Sequence, residues 1–552
     1  MKKITSIALL LMLAVTRIPA QEVIEIVYSG SKATVNIPGS ITDVKYEVDG
    51  ASVTITSETT SQEYTYQVKG NSTDGSLTIN GNYKLTLQLA GLALTNASGG
   101  AAIDVECGKR IAVELADGSV NTLCDAAKGS QKAALYFKGH VEFKGSGTLN
   151  VTGKQKHAIS AKEYIELKSS TGTINVKGAV SDGIHCGKGK PDNEHNYFLM
   201  KGGIVNITNV GDDGIDSDDY GVVRIEGGNL SVNIKDDASG LKADSIVTIK
   251  DGTVNISVKG IDSKGIRASH TIKIMGGKTT ILVDGDGSKG IKAKRYESKS
   301  TVLNGGFLDI SGGELSVQCT GGNYVTETET GTETTKCVAV SVDADLTQTA
   351  GDVDITALGA EAVDCTVDGK KTRKGGTFNT RLIPWKVQTS DYQYDMTVYV
   401  AVSANGSMLT NYNNIAVGAF VGEECVGYAI FEKDYGVIRV KSNDAQAKPV
   451  TFKVCRVSDK SYYEPTSSEA ITFLPDTNAG EPGNPVVLSC DMKLAGDANG
   501  DGTVNAADIV EVVNYIMGKP SNKFVEPSAD ANGDGTVNAA DIVTIVNIIM
   551  GN

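Results

Sequence analysis

Through the middle of the chain, short apolar runs alternate with polar positions, and glycine turns punctuate them. The runs VNI, LSVNI, VNISV and TTILV bring Ile207, Val232, Ile256 and Ile281 into one column, with Val176 in register before them. Gly202 and Gly203, Gly227 and Gly228, Asp251 and Gly252, and Gly276 and Gly277 form a column of turns before them. A Gly-Ile-like pair recurs as Ala158 with Ile159, Gly183 with Ile184, Gly214 with Ile215, Gly240 with Leu241, Gly265 with Ile266 and Gly290 with Ile291. The apolar members are 25, 31, 26, 25 and 25 residues apart, and the long interval holds the loop-like insertion GKGKPDNEHN. Weaker marks extend back to Ile103 and Leu135 and forward to Val340 and Val363. Short strands of period two, repeating about every 25 residues, predict the coils of a right-handed parallel β-helix over residues 21–378. Each coil buries its inward column on the next, which a sandwich of unequal strands would not require.

The pattern changes over residues 379–488. MTVYVAVSANG, NIAVGAFVGEECVGYAIFEKDYGVIRVKSNDA and VTFKVCRVS alternate with turn signals, as antiparallel strands do. A small β-sandwich is expected, with no catalytic set in it. The Pro/Gly-rich stretch from Pro475 to Pro485 leads on towards the C-terminus.

At residues 495–552 the pattern becomes helical and duplicated. DANGDGTVNAADIV occurs from Asp497 to Val510 and again from Asp530 to Val543, each time before an apolar helix. The first loop offers oxygens from Asp497, Asn499, Asp501, Thr503, Asn505 and Asp508; the second offers them from Asp530, Asn532, Asp534, Thr536, Asn538 and Asp541. Hard oxygen donors at these spacings, with Gly502 and Gly535 at the sharp turn, wrap Ca²⁺ in the EF-hand manner, here closed by Asp. The duplicated loop-helix unit resembles the type I dockerin module. That resemblance implies docking onto a cohesin-bearing partner, with Ala506, Ala507, Ala539 and Ala540 at the positions that face the cohesin.

Composition adds compartment and charge. MKKITSIALLLMLAV has the lysines and short apolar stretch of a secretory signal peptide over residues 1–20, with cleavage expected before Gln21. No later segment is long and apolar enough for a membrane span, so a secreted protein, extracellular or held at the cell surface, is expected without membrane insertion. Formal charge is −14, or −17 without Lys2, Lys3 and Arg17, which argues against a nucleic-acid partner. Nine cysteines in an exported chain permit disulfides; Cys319 with Cys337 and Cys107 with Cys124 are the candidate pairs, and no Cys/His spacing suggests zinc.

In a stack of coils about 4.8 Å apart, sequence columns become surface ladders. Asp182 and Asp213 both precede the Gly-Ile mark, and Asp212, Asp213, Asp216, Asp218 and Asp219 crowd into eight residues, with Asp236 and Asp237 near the next corner. Carboxylates this close repel unless a cation lies among them, and Ca²⁺ with oxygens at about 2.4 Å spans a coil spacing. Solvated turn aspartates are the plainer reading. Directly after the mark stand His185, Asp216, Lys242, Arg267 and Lys292. This basic run suits an anionic polymer, or simply balances neighbouring acids.

The segments AVSDGIHC, GDDGIDSDD, GLKADSI and GDGSKGIKAK resemble a bacterial family of calcium-dependent carbohydrate-binding β-helix proteins, related in fold to pectate lyases. The resemblance implies a metal set of Asp182, Asp212, Asp213 and Asp216, with Lys242, Arg267 and Lys292 on the polysaccharide. It implies binding of an acidic plant-type polysaccharide such as polygalacturonate more firmly than cleavage. Residues 379–488 resemble an accessory module of secreted gut-type bacterial proteins. The expected function is a secreted, non-catalytic, calcium-dependent carbohydrate binder tethered through its dockerin. One alternative is a uronate lyase with Lys242 or Arg267 as base; another is an adhesin or stalk. One Trp, Trp385, leaves no aromatic row for crystalline cellulose.

Overall fold

The computed structural model describes residues 23–550 apart from 188–194, 236, 296, 299–300, 303–304, 329–330, 388–391, 413, 432–433, 458–459, 493, 502 and 533. The expected leader at 1–20, most of the GKGKPDNEHN insertion, Asp236 and Gly502 lie outside the described residues. The chain is mainly β, and its described α-helices all lie near the C-terminus. It divides into two compact units, residues 1–232 with 242–253 and residues 233–241 with 254–552.

The first unit carries three parallel ladders. In one, Leu77, Ile103, Leu135, Ile159, Ile184 and Ile215 lie opposite one another in turn, all buried. A second aligns Val151, Val176, Ile207 and Val232. The third aligns Val113, Phe143, Leu167, Met200, Ile225 and Ile249. Each inward side chain contributes about 1.5 to 3 kcal/mol by leaving water, so a shared phase along the chain is strongly selected energetically. The turn column has its own constraint: Gly203 and Gly228 have φ of +85° and +86°, and a Cβ on Gly228 would meet the carbonyl oxygen of Gly203 at 2.6 Å. Only glycine stacks there.

The parallel pattern does not hold from the first strand. Val23–Ser29 pairs with Lys32–Asn36, and Val44–Asp49 with Ser52–Ser57, in antiparallel fashion. These hairpins occupy strand edges that would otherwise be open.

In the second unit, Ile266, Ile291, Val340 and Cys365 share one column. Val363 lies opposite Val338, two positions from the expected mark, so the column's next member is Cys365. Thr377–Ile383 pairs in parallel with Leu346–Leu358. The following strands run in the order Ser461–Tyr463, Lys448–Arg456, Ile415–Val421, Glu424–Phe431, Gly436–Ser442, Tyr394–Ala404, Val486–Cys490 and Thr466–Ser467. They are mostly antiparallel, although Tyr394–Ala404 and Val486–Cys490 run parallel. Their core includes Val398, Val400, Val417, Ile438, Phe452 and Leu488. Leu358 and Ile383 pack with Ala416 and Cys455, joining the last parallel strands to this layer. Trp385 lies edge-on to Phe420 and Tyr462, as a packing residue.

Cys319 and Cys337 bring their Sγ atoms to 2.8 Å at the base of the hairpin Tyr324–Thr328 and Gly331–Thr335. Cys107 and Cys124 do not meet; their thiols point to the carbonyls of Tyr83 and Asp125. No described helix is long and apolar enough to cross a membrane.

Candidate functional site

The parallel register of the first unit sets two neighbouring columns on one sheet. Two residues before the Ile159–Ile184–Ile215 column stand His157, Asp182 and Asp213; one residue after it stand Ser160, His185 and Asp216. His157, Asp182, His185, Asp213 and Asp216 are all at least 95% buried. Asp212 is exposed and Asp218 half-buried.

Asp182 lies at the junction. Its Oδ2 is 3.0 Å from Nδ1 of His157 and 3.0 Å from Nδ1 of His185, and the two imidazoles stack at 4.3 Å, 8° from parallel. Its Oδ1 accepts from the backbone N–H of Asp213 at 3.3 Å and from the Ser181 hydroxyl at 3.3 Å. His185 Nδ1 also approaches Asp216 Oδ2 at 3.4 Å, while its Nε2 is 4.0 Å from Asp218 Oδ2. Lys242 reaches in from the strand Ser239–Ala243: Nζ is 2.9 Å from Asp213 Oδ2, 3.2 Å from Asp216 Oδ1 and 4.0 Å from Asp218 Oδ1.

Protonation follows from this packing. Burial pushes the Asp182 carboxyl up, but the hydrogen bonds and charges of the two histidines outweigh it and hold it far below the usual carboxylate range. Burial opposes charge on His185 too, yet Asp182 and Asp216 raise it to about 9. His157 is lowered, first by burial. Burial raises Asp216 to about 6 against the pull of His185 and Lys242. Burial acts downward on Lys242, but Asp216 and Asp213 raise it above its ordinary value, the wrong direction for a general base.

Four of the expected residues thus meet: Asp182, Asp213, Asp216 and Lys242. Asp212 belongs with Asp182 and Asp213 in a group whose oxygens lie within 4.8 Å of one another. Lys292, in the second unit, pairs with Asp343 and lies 3.2 Å from the Ser341 hydroxyl. Arg267 makes no ion pair among the described residues, and register sets it opposite Lys292. Sequence reasoning missed His157. The signal was present, because His157 occupies the position two before Ile159 that Asp182 and Asp213 occupy before Ile184 and Ile215.

Aromatics on another ladder do not form a sugar platform. His140, Tyr164 and Tyr197 stack at 4.5 Å intervals and Arg224 covers Tyr197, so the ring faces are occupied by one another.

The C-terminal loops are built differently. Asp508 Oδ1 and Oδ2 accept from the N–H groups of Asn499 and Asn505 at 3.1 and 2.8 Å; Asp541 repeats this with Asn532 and Asn538 at 3.2 and 2.8 Å. Asp501 N–H donates to Asp497, and Asp534 N–H to Asp530. Asn505 caps the helix Ala506–Ile516, with Asp508 closing a capping box. Burial, then the charge of Asp501, raises the Asp508 carboxyl. A buried carboxylate set among oxygens and backbone amides fits a divalent cation as partner. Ala506, Ala507, Ala539 and Ala540 are exposed, beside exposed Val510 and Val543.

The family described as carbohydrate-binding domain-containing protein matches residues 49–296, and the type I dockerin domain matches residues 495–550. A carbohydrate-binding domain-containing protein of Acetivibrio thermocellus is 29% identical over 229 residues, 39% of this chain and 76% of that one. A gadolinium derivative of the polysaccharide lyase-like protein from C. thermocellum covers 65% of this chain and 96% of its own at 17% identity, with a TM-score of 0.27, too low to carry a structural argument.

Proposed function

We propose that this chain is a secreted, non-catalytic binder of acidic polysaccharide that attaches to a cohesin-bearing scaffold or surface protein. The observation that carries this reading is the pairing of a carbohydrate-binding match over residues 49–296 with a dockerin match over residues 495–550 in one chain. In this reading residues 21–378 form a right-handed parallel β-helix, 379–488 a sandwich spacer and 495–552 the docking module. The parallel ladders and the duplicated loop-helix support that division.

Calcium has two proposed roles. In the C-terminal loops it links six oxygen ligands per loop and holds the apolar helices in a docking-competent pair. In the first unit it takes oxygens of Asp182, Asp212, Asp213 and Asp216. Lys242 already neutralises part of that set, with its Nζ at 2.9 Å from Asp213 and 3.2 Å from Asp216. Calcium entering there displaces the ammonium, which then faces solvent and pairs with a uronate carboxylate. Arg267, without an ion pair among the described residues, is the other cation for the glycan, and Lys292 joins once released from Asp343. The chain's net charge of −17 without its leader makes bridging cations necessary for a polyanionic ligand.

The test is calorimetric titration of polygalacturonate into the full chain, with calcium and with chelator, while absorbance of unsaturated uronate products is followed. Heat that requires calcium and disappears in Asp213→Ala supports binding. Product absorbance would replace it with a lyase. No heat in either condition removes the polyuronate ligand and favours a stalk or adhesin.

A further inference from the structure

We infer that His157, Asp182 and His185 form a transition-metal site suited to zinc, separate from any calcium position among the neighbouring aspartates and independent of the glycan reading. One nitrogen from each imidazole and one Asp182 oxygen lie within 4.8 Å of one another, and all three residues are buried. Each nitrogen lies 3.0 Å from the shared oxygen, whereas two ligands of one tetrahedral zinc stand about 3.3 Å apart, so both nitrogen–oxygen pairs need to open by only a few tenths of an ångström. Calcium takes oxygen ligands only; two imidazole nitrogens with a carboxylate are the donor set of zinc and its neighbours.

Two further observations point to a ligand here. His157 Nδ1 is fully buried 3.0 Å from Asp182 Oδ2 but is not aligned with it for a hydrogen bond. A buried polar atom left in this state is uncommon and costs about 1 to 3 kcal/mol. In addition, a cavity of about 80 Å³ opens onto His157 and His185, giving an entry path, and Lys132, Lys156 and Lys162 line it. The remaining coordination position of the ion would face this cavity, where the lysines favour water, hydroxide or a carboxylate as the exchangeable ligand. Asp182 serves both sets with different oxygens: Oδ2 faces the imidazoles and Oδ1 faces Asp213. Asp218 near His185 Nε2 supplies the outer carboxylate that commonly orients a metal-bound imidazole.

The experiment uses the full chain, stripped with chelator and returned to excess calcium so that oxygen-only sites are filled. Zinc is titrated by competition with a chromophoric chelator, and Co²⁺ is added as a spectroscopic probe. The expected result is one calcium-resistant zinc per chain and a tetrahedral Co²⁺ spectrum. His157→Gln and His185→Gln should each weaken zinc at least about 100-fold, since even outer ligands account for 10- to 100-fold. Asp508→Ala with Asp541→Ala, which alters only the C-terminal loops, should leave it unchanged. Absence of stoichiometric zinc under excess calcium, or zinc affinity unchanged in folded His157→Gln, overturns the site. Should the glutamine variants fail to fold, X-ray absorption of the wild-type Co²⁺ form decides: two imidazoles support the site, and an all-oxygen shell overturns it.

Discussion

Two acidic regions of this molecule use the same side chain for opposite ends. In the first unit, Asp182, Asp213 and Asp216 are buried against His157, His185 and Lys242, so their counter-charges come from the chain itself. In the C-terminal loops, Asp508 and Asp541 are equally buried, but their hydrogen-bond partners are backbone N–H groups of Asn499, Asn505, Asn532 and Asn538. The first cluster can fold without an added ion. In the reading proposed above, the second leaves charge for an ion to complete, which would turn folding of the helices into a response to calcium.

Removing calcium from the loops should produce the largest effect. If each loop binds at 100 times its dissociation constant, the ion contributes about 2.7 kcal/mol per loop, near 5 kcal/mol for both. Chelation should therefore abolish the helical circular dichroism of residues 506–550 while strand signal persists. Helical signal unchanged by chelator would place the two regions in one class.

Lys242→Met tests the other side of the comparison. It leaves Asp213 and Asp216 buried without their ammonium, and removing one partner of such a set costs about 3 to 5 kcal/mol. Thermal unfolding should show the loss, and calcium should restore more stability to the variant than to the wild type. Equal calcium responses would mean that Lys242 and the ion do not compete.

Much of this arrangement was legible in the sequence, and the reasons differ by column. Ile103, Leu135, Ile159, Ile184 and Ile215 fall in register because buried positions repeat from strand to strand. Asp182, Asp213 and Asp216 are legible for the same reason, as polar members at fixed offsets from that column. His157 is harder to see because the Gly-Ile pair that marks the repeat reads Ala-Ile beside it. The reach of Lys242 is not readable, since it depends on carboxylates from a different strand. The shift from Val363 to Cys365 has a similar origin: cross-strand pairing sets it, and the two residues share one face of the strand, so the apolar pattern alone does not choose between them.

A third kind of carboxylate sharpens the contrast by having neither partner. Asp104 has a buried Oδ1 without a hydrogen bond, and burial, followed by the charge of Glu106, raises its carboxyl to about 6. The ordinary value is 3.8, so the folded state holds the proton more tightly than the unfolded chain does. Its contribution is present at pH values below the unfolded value and is lost as pH rises through about 6. Asp104→Asn should then raise stability near pH 7 by about 1 to 2 kcal/mol, after discounting for partial exposure, and change little at pH 3.5. Unfolding midpoints of the two proteins across pH provide the measurement. A gain of equal size at both pH values would assign the effect to packing instead of charge.

The smallest expected effect comes from a polar ladder that needs no counter-charge. Asn175 donates to Asn150 Oδ1 at 3.0 Å and accepts from Asn206 at 2.9 Å, one amide per strand. Asn175→Ala removes both bonds, but the amides are half-buried and water can replace much of what is lost. The expected cost is about 1 kcal/mol, a fraction of that for Lys242→Met, although each change severs contacts between neighbouring strands. Denaturant midpoints of the two variants compare the effects directly. Similar losses would imply that pairing of the parallel strands governs stability, with the charges in the His–Asp–Lys cluster contributing little; a several-fold larger loss in Lys242→Met would locate the energetic demand in that buried charge.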